Sequence, residues 1–176
     1  MDLVTRVGVA IALPEPHAGL LQEARRNFGD LQGDLVRTHV TLAGPREIPD
    51  REMSRVQEHL AMICRDQGPF DVLLQGATSF RPVTQVSYLR VCRGAEECRQ
   101  LAEAICTGPL AAPQHYPYHP HVTLAQDLPE EALDRAEQEF SDYSLGFRVQ
   151  ELGLYACDRY DRWRLLRDFA LERLSS

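Results

Sequence analysis

The sequence predicts an α+β fold: a bilobal duplicated unit with two antiparallel sheets around a central cleft and helices on the outside. Three observations carry this. The tetrapeptide His-Val-Thr-Leu occurs twice, at residues 39–42 and 121–124. The order strand, helix, motif strand, helix, strand can be read through each half of the chain. The spacing between a glutamine and a following aromatic also recurs, Leu74-Gln75 to Phe80 matching Val149-Gln150 to Tyr155. A period of about half the chain is too long for a solenoid and fits one duplicated unit. With 176 residues, the expectation is a single bilobal domain over 1–176, with lobe halves at approximately 1–80 and 81–176.

The elements follow in order. Leu3 to Leu13 is nearly continuous apolar sequence and reads as a strand buried on both faces. Leu20, Leu21, Ala24 and Phe28 recur at helical spacing until Gly29, with His17 expected exposed in the first turn. The first motif strand ends at Gly44-Pro45. Asp50 is a candidate N-cap for a helix with Met53, Val56, Leu60, Ile63 and Cys64 on one stripe, leaving His59 on the solvated side. Phe70, Val72, Leu74 and Phe80 define the inner face of the next strand.

The second half predicts a strand over 85–92 and a helix over 95–107 with Cys98, Leu101, Ala102 and Ile105 inward. The second motif strand follows, then a helix opened by Pro129. One strand is expected over 147–157, and a turn over 158–161 leads into a last strand that Trp163 anchors. The arginines at 159, 162, 164 and 167 alternate with acids and read as a solvated face.

Composition limits the function classes. The net charge of −7 argues against a broad basic face for duplex DNA. Five cysteines without a C-x-x-C pair suggest neither a disulfide framework nor a thiolate zinc site. No apolar span of membrane length is present, so no membrane partner is expected, and a reduced cytoplasm is the expected setting. A monomer is expected.

The motifs carry the chemistry. In a strand, His39 and Thr41 point one way while Val40 and Leu42 point the other, and His121-Thr123 behaves likewise. One such strand is ordinary; two identical copies argue for a shared site. Facing imidazoles can act as base and acid at neutral pH, and hydroxyls beside them can donate to phosphate oxygens. In-line displacement at phosphorus needs that set when no metal or other cofactor takes part.

The paired His-x-Thr-x motif resembles the signature of the two-histidine (2H) phosphoesterase superfamily. Its likeness is to the bacterial branch of 2′-5′ RNA ligases and RNA 2′,3′-cyclic phosphodiesterases, over essentially the whole chain. The resemblance implies a metal-independent site in which His39 and His121 are the acid–base pair and Thr41 and Thr123 hold the phosphate. Its substrate would be a nucleotide or RNA end carrying a cyclic phosphate, opened to a 2′-phosphate. Ligation through a 2′-5′ linkage, or nucleotide binding with little catalysis, are the alternatives. Pseudo-symmetry leaves the two histidines interchangeable; analogy assigns the leaving oxygen to His39 and the water to His121. The sequence departs from the family in carrying Gln126 where a cation often follows the second motif. Arg37, on the face of His39, is a candidate replacement. Phe80, Tyr88 and Tyr155 are candidates to stack on a base, and His119 to line the rim. His115, His119 and His121 lack carboxylate or cysteine neighbours at ligand spacing, so no metal site is expected there.

Overall fold

The computed structural model describes residues 3–173. Eight strands and four helices run in the order β1 (Val4–Ala12), α1 (His17–Phe28), β2 (His39–Pro49), α2 (Met53–Asp66), β3 (Phe70–Ser79), β4 (Val86–Arg93), α3 (Ala95–Ile105), β5 (His121–Gln126), α4 (Glu130–Glu139), β6 (Ser144–Val149), β7 (Glu151–Cys157) and β8 (Trp163–Ala170). They form two four-stranded sheets, ordered β2-β1-β7-β8 and β5-β4-β3-β6, in which every pairing is antiparallel.

The lobes do not divide the chain near residue 80. The first sheet takes two strands from each half, and β3 joins the second. The expected strand over 147–157 is also two strands, β6 and β7, which separate at Gln150 and enter different sheets. An apolar run crossing a sheet boundary has the same alternation as one long strand, so periodicity could not find this break.

Each helix is held by one stripe. Val56, Leu60 and Cys64 of α2 are buried, as are Cys98, Leu101, Ala102 and Ile105 of α3. In α1, Ala18, Leu21, Ala24 and Phe28 face the core, whereas Leu20 is 59% exposed, one position off the true stripe. Gly29 ends α1 at φ 97°, a left-handed conformation that glycine adopts without steric cost. Asp50 opens a short 3-10 turn ahead of α2 and accepts a 2.7 Å hydrogen bond from Thr5 Oγ1. His59, expected in solvent, is instead partly buried, with Nε2 3.1 Å from the carbonyl of Ile105.

The motif strands follow the alternation. Val40, Leu42, Val122 and Leu124 are at most 2% exposed, while the motif histidines and threonines on the opposite faces are half-buried. No helix of the described residues is long and apolar enough to cross a membrane.

Candidate active site

Each motif histidine is oriented by its own strand. His39 Nδ1 lies 2.6 Å from the carbonyl oxygen of Arg37, and His121 Nδ1 lies 2.7 Å from that of His119. A carbonyl only accepts, so Nδ1 carries the proton in both rings. In the neutral rings Nε2 is therefore the basic atom. His39 Nε2 is 3.0 Å from Thr41 Oγ1, which can donate to it.

Both rings resist protonation. Burial is the main cause for each, outweighing the backbone carbonyl that favours the charged form. The Arg25 and His121 charges lower His39 further, and His119 lowers His121. The charge of the second motif's imidazole thus reaches the first. A direct strut joins the motifs as well: the Tyr118 hydroxyl, four residues before the second HVTL's Val122, donates a 2.8 Å hydrogen bond to the carbonyl of Thr41.

The two sides of the site differ in how they are filled. Across the first sheet, His39 pairs with Ala12 and Thr41 with Ala10, while Gly153 lies beyond Ala10 and Tyr155 beyond Gly8. Directly paired residues share a face. This face carries small residues beside the motif, and a cavity of about 590 Å³ opens over it. Arg37, His39, Thr41, Tyr155 and Trp163 line that cavity. In the second sheet the equivalent partners are large, Arg90 opposite His121 and Tyr88 opposite Thr123. There Phe80 stacks on Tyr88 at 4.0 Å and 23°, and meets the His121 and His119 rings edge-on at 5.0 and 5.3 Å. Tyr88 also meets His119 and His121, at 5.5 and 5.4 Å.

The predicted residues therefore fall into two groups. Arg37, His39, Thr41 and Tyr155 meet at the cavity; Phe80, Tyr88, His119 and His121 form the aromatic wall, with Thr123 beside Tyr88. The matched glutamine-to-aromatic spacing has a spatial meaning, since Phe80 reaches the second motif and Tyr155 the cavity of the first. Arg37 is not an available cation. It is exposed and ion-paired with Glu15, whose other carboxylate oxygen accepts from the Gly19 N–H at 3.1 Å. Trp163 does more than anchor β8, because it lines the cavity over Gly8. Arg164, read as solvated, lines it too.

Several contributors escaped the sequence reading. Tyr118 meets Thr41 across 77 positions of sequence, a contact that no local pattern signals. Arg90 became relevant through cross-strand register, which a sequence does not print. The connection bearing Phe80 is fastened by Arg81, which reaches Asp134 Oδ1 and Glu137 Oε1, both at 2.7 Å. Fully buried Ser87 donates to the same Glu137 oxygen at 2.6 Å. Among the described residues, no three His, Cys, Asp or Glu side chains are grouped to hold a metal ion.

Residues 13–161 match the description of the 2′-5′ RNA ligase superfamily. The chain belongs to that superfamily, the 2H phosphoesterases. A Staphylococcus haemolyticus protein carrying the name "Putative phosphoesterase" is 29% identical over 168 residues, covering 94% of this chain and 98% of the relative. A protein of the same description from Oceanobacillus iheyensis is 32% identical over 143 residues, covering 81% and 78%. Among solved structures, Escherichia coli LigT complexed with 3′-AMP superposes with a TM-score of 0.67 at 21% identity, over 96% of this chain and 99% of that one. A crystal structure described as a phosphoesterase gives 0.68 at 22% identity, over 97% and 99%. These likenesses establish the fold of this 2H phosphoesterase as that of LigT.

Proposed function

We propose that this 2H phosphoesterase is a metal-independent cyclic phosphodiesterase that opens a nucleoside or RNA-terminal 2′,3′-cyclic phosphate to a 2′-phosphate. The observation that carries the reading is the pair of imidazoles, each with Nδ1 held by a backbone carbonyl and Nε2 left for proton transfer. Membership of the superfamily supports it, as do the nucleotides bound by its fold-mate, since E. coli LigT has been crystallised with 3′-AMP, NADP+ and ATP.

The free protein has both rings neutral at pH 7. A phosphodiester anion entering between them favours a proton on one Nε2, because an opposite charge stabilises the charged imidazole. His121 Nε2 then takes a proton from water as its oxygen bonds to phosphorus. The bond from phosphorus to O3′ breaks, and His39 Nε2 gives O3′ its proton. Thr41 and Thr123 hydroxyls donate to the non-bridging oxygens, which gain charge in the transition state. Arg90, on the face of His121, adds positive charge there. Arg37, one of the two arginines lining the cavity, is neutralised by Glu15, which favours hydrolysis over the joining of polyanionic RNA ends.

Phosphorus NMR of the protein with 2′,3′-cyclic nucleotides tests the reading. The expected product is the 2′-phosphate, formed at an unchanged rate in excess EDTA. A 3′-phosphate product, or activity lost to the chelator and restored by a divalent ion, would contradict it.

A further inference from the structure

The cavity beside the first motif has a chemical bias that the reaction itself does not require. Tyr155 lies across Gly153 so closely that a Cβ at Gly153 would stand 2.4 Å from its Cε2. A ring resting on a bare backbone has one face covered and leaves the other for a ligand. Glu151 and Asp168 stand at the same ring. Asp168 is the cross-strand neighbour of Gly153, Glu151 lies two residues before Gly153 on β7, and burial first, then both carboxylates, push the Tyr155 hydroxyl above its ordinary range against the pull of Arg37. Both line the 590 Å³ cavity, and both also line a second cavity of about 350 Å³ that shares Tyr155 with it. Neither is engaged in an ion pair or side-chain hydrogen bond among the described residues, whereas Glu15, the third carboxylate of the cavity, is bound to Arg37.

A planar group on the free face of Tyr155 therefore meets two carboxylate acceptors along this edge, while of the cavity's two arginines Arg37 is bound to Glu15 and Arg164 stands at a different register, opposite Ala156. The phosphate belongs at His39 and Thr41, and the negative edge repels a second phosphate. A nucleobase fits the stacking face, and its polar edge must donate rather than accept. Resting on the phosphodiesterase reading for the placement of the phosphate, we infer that Glu151 and Asp168 select a base bearing an exocyclic amino group. Uracil is disfavoured, because its single edge N–H is flanked by two carbonyls that would face the carboxylates.

Cytosine and uracil are the same size and differ at that edge by an amino group beside an accepting N3 against a carbonyl beside an N3–H, so the comparison tests which edge the carboxylates prefer. Calorimetric titration with 2′-CMP and 2′-UMP reads it without turnover, and hydrolysis of the two 2′,3′-cyclic nucleotides reads it with turnover. The expected preference is about tenfold for cytosine, of the order of one hydrogen bond to a charged group. In a Glu151→Gln, Asp168→Asn double variant the ratio should fall to within about twofold, whatever happens to the affinity common to both ligands. Equal binding of the two by the native protein, or a preference the variant retains, overturns the inference. Equal hydrolysis of both would overturn it while leaving the phosphodiesterase reading intact. Selective binding without hydrolysis supports the base selection and removes the phosphodiesterase reading instead, and no binding of either nucleotide overturns both.

Discussion

His39 and His121 are the residues whose protonation the fold alters most pointedly. Both are held below the ordinary value of 6.5, chiefly by burial. The sign follows directly: the unfolded chain binds protons on these rings that the folded chain refuses, so stability falls as pH drops below about 6.5. Comparing Tm at pH 7.5 and 5.5 should show a smaller loss in a His39→Gln, His121→Gln variant than in the native protein. An equal loss would mean that neither ring carries the linkage. The motif histidines were legible because they occur twice in identical surroundings. Arg37 was legible as a residue on the right face, and its neutralisation was not, because Glu15 lies 22 positions away and meets it only through the turn into α1.

At the scale of the element, β2 and β5 divide their labour between faces. Thr41 touches His39, while Leu42 is 2% exposed on the other side of the same strand. Thr41→Val should lower kcat by roughly one to two orders of magnitude, the range of a lost donor to developing charge, with little change in Tm. Leu42→Ala should cost about 2–5 kcal/mol of stability, read by denaturant unfolding. A reversal of these two outcomes would place the strand the wrong way round. The connection between β3 and β4 has a different task. Arg81 and Glu137 fasten it so that Phe80 stays against Tyr88 and His121, and Phe80 makes no bond to a substrate phosphate. Arg81→Ala should therefore raise KM several-fold and leave kcat within about threefold, and Arg81→Lys should recover part of the loss. A fall in kcat alone would reassign the residue. Strand and helix identities were readable here from alternation and stripe; the division of β6 from β7 was not, since Gln150 resembles any polar position in a continuing strand.

Across the whole molecule, duplication supplies two copies of one strand and divergence makes them unequal. Alanines and glycines beside the first motif leave a cavity; Tyr88, Arg90 and Phe80 fill the matching space beside the second. The pseudo-symmetry visible in the sequence therefore conceals a directional site, with room for a ligand on the side of His39 and an aromatic wall behind His121. Aligning β1 with β4 would have exposed the contrast, but only with the cross-strand register known. The interleaved sheets join the two sides, because β7 from the end of the chain completes the first sheet and brings Tyr155 to the cavity. The central claim is that both imidazoles act on a single phosphate. The kinetic cycle of His39→Ala, His121→Ala and their double variant on 2′,3′-cyclic CMP measures it most directly. Each single change should lower kcat/KM by about 10²–10⁴, and the double variant should fall far short of the product of the two losses, as for groups that act as a unit. Near-native turnover in either single variant, or losses that multiply in full, would contradict a shared site.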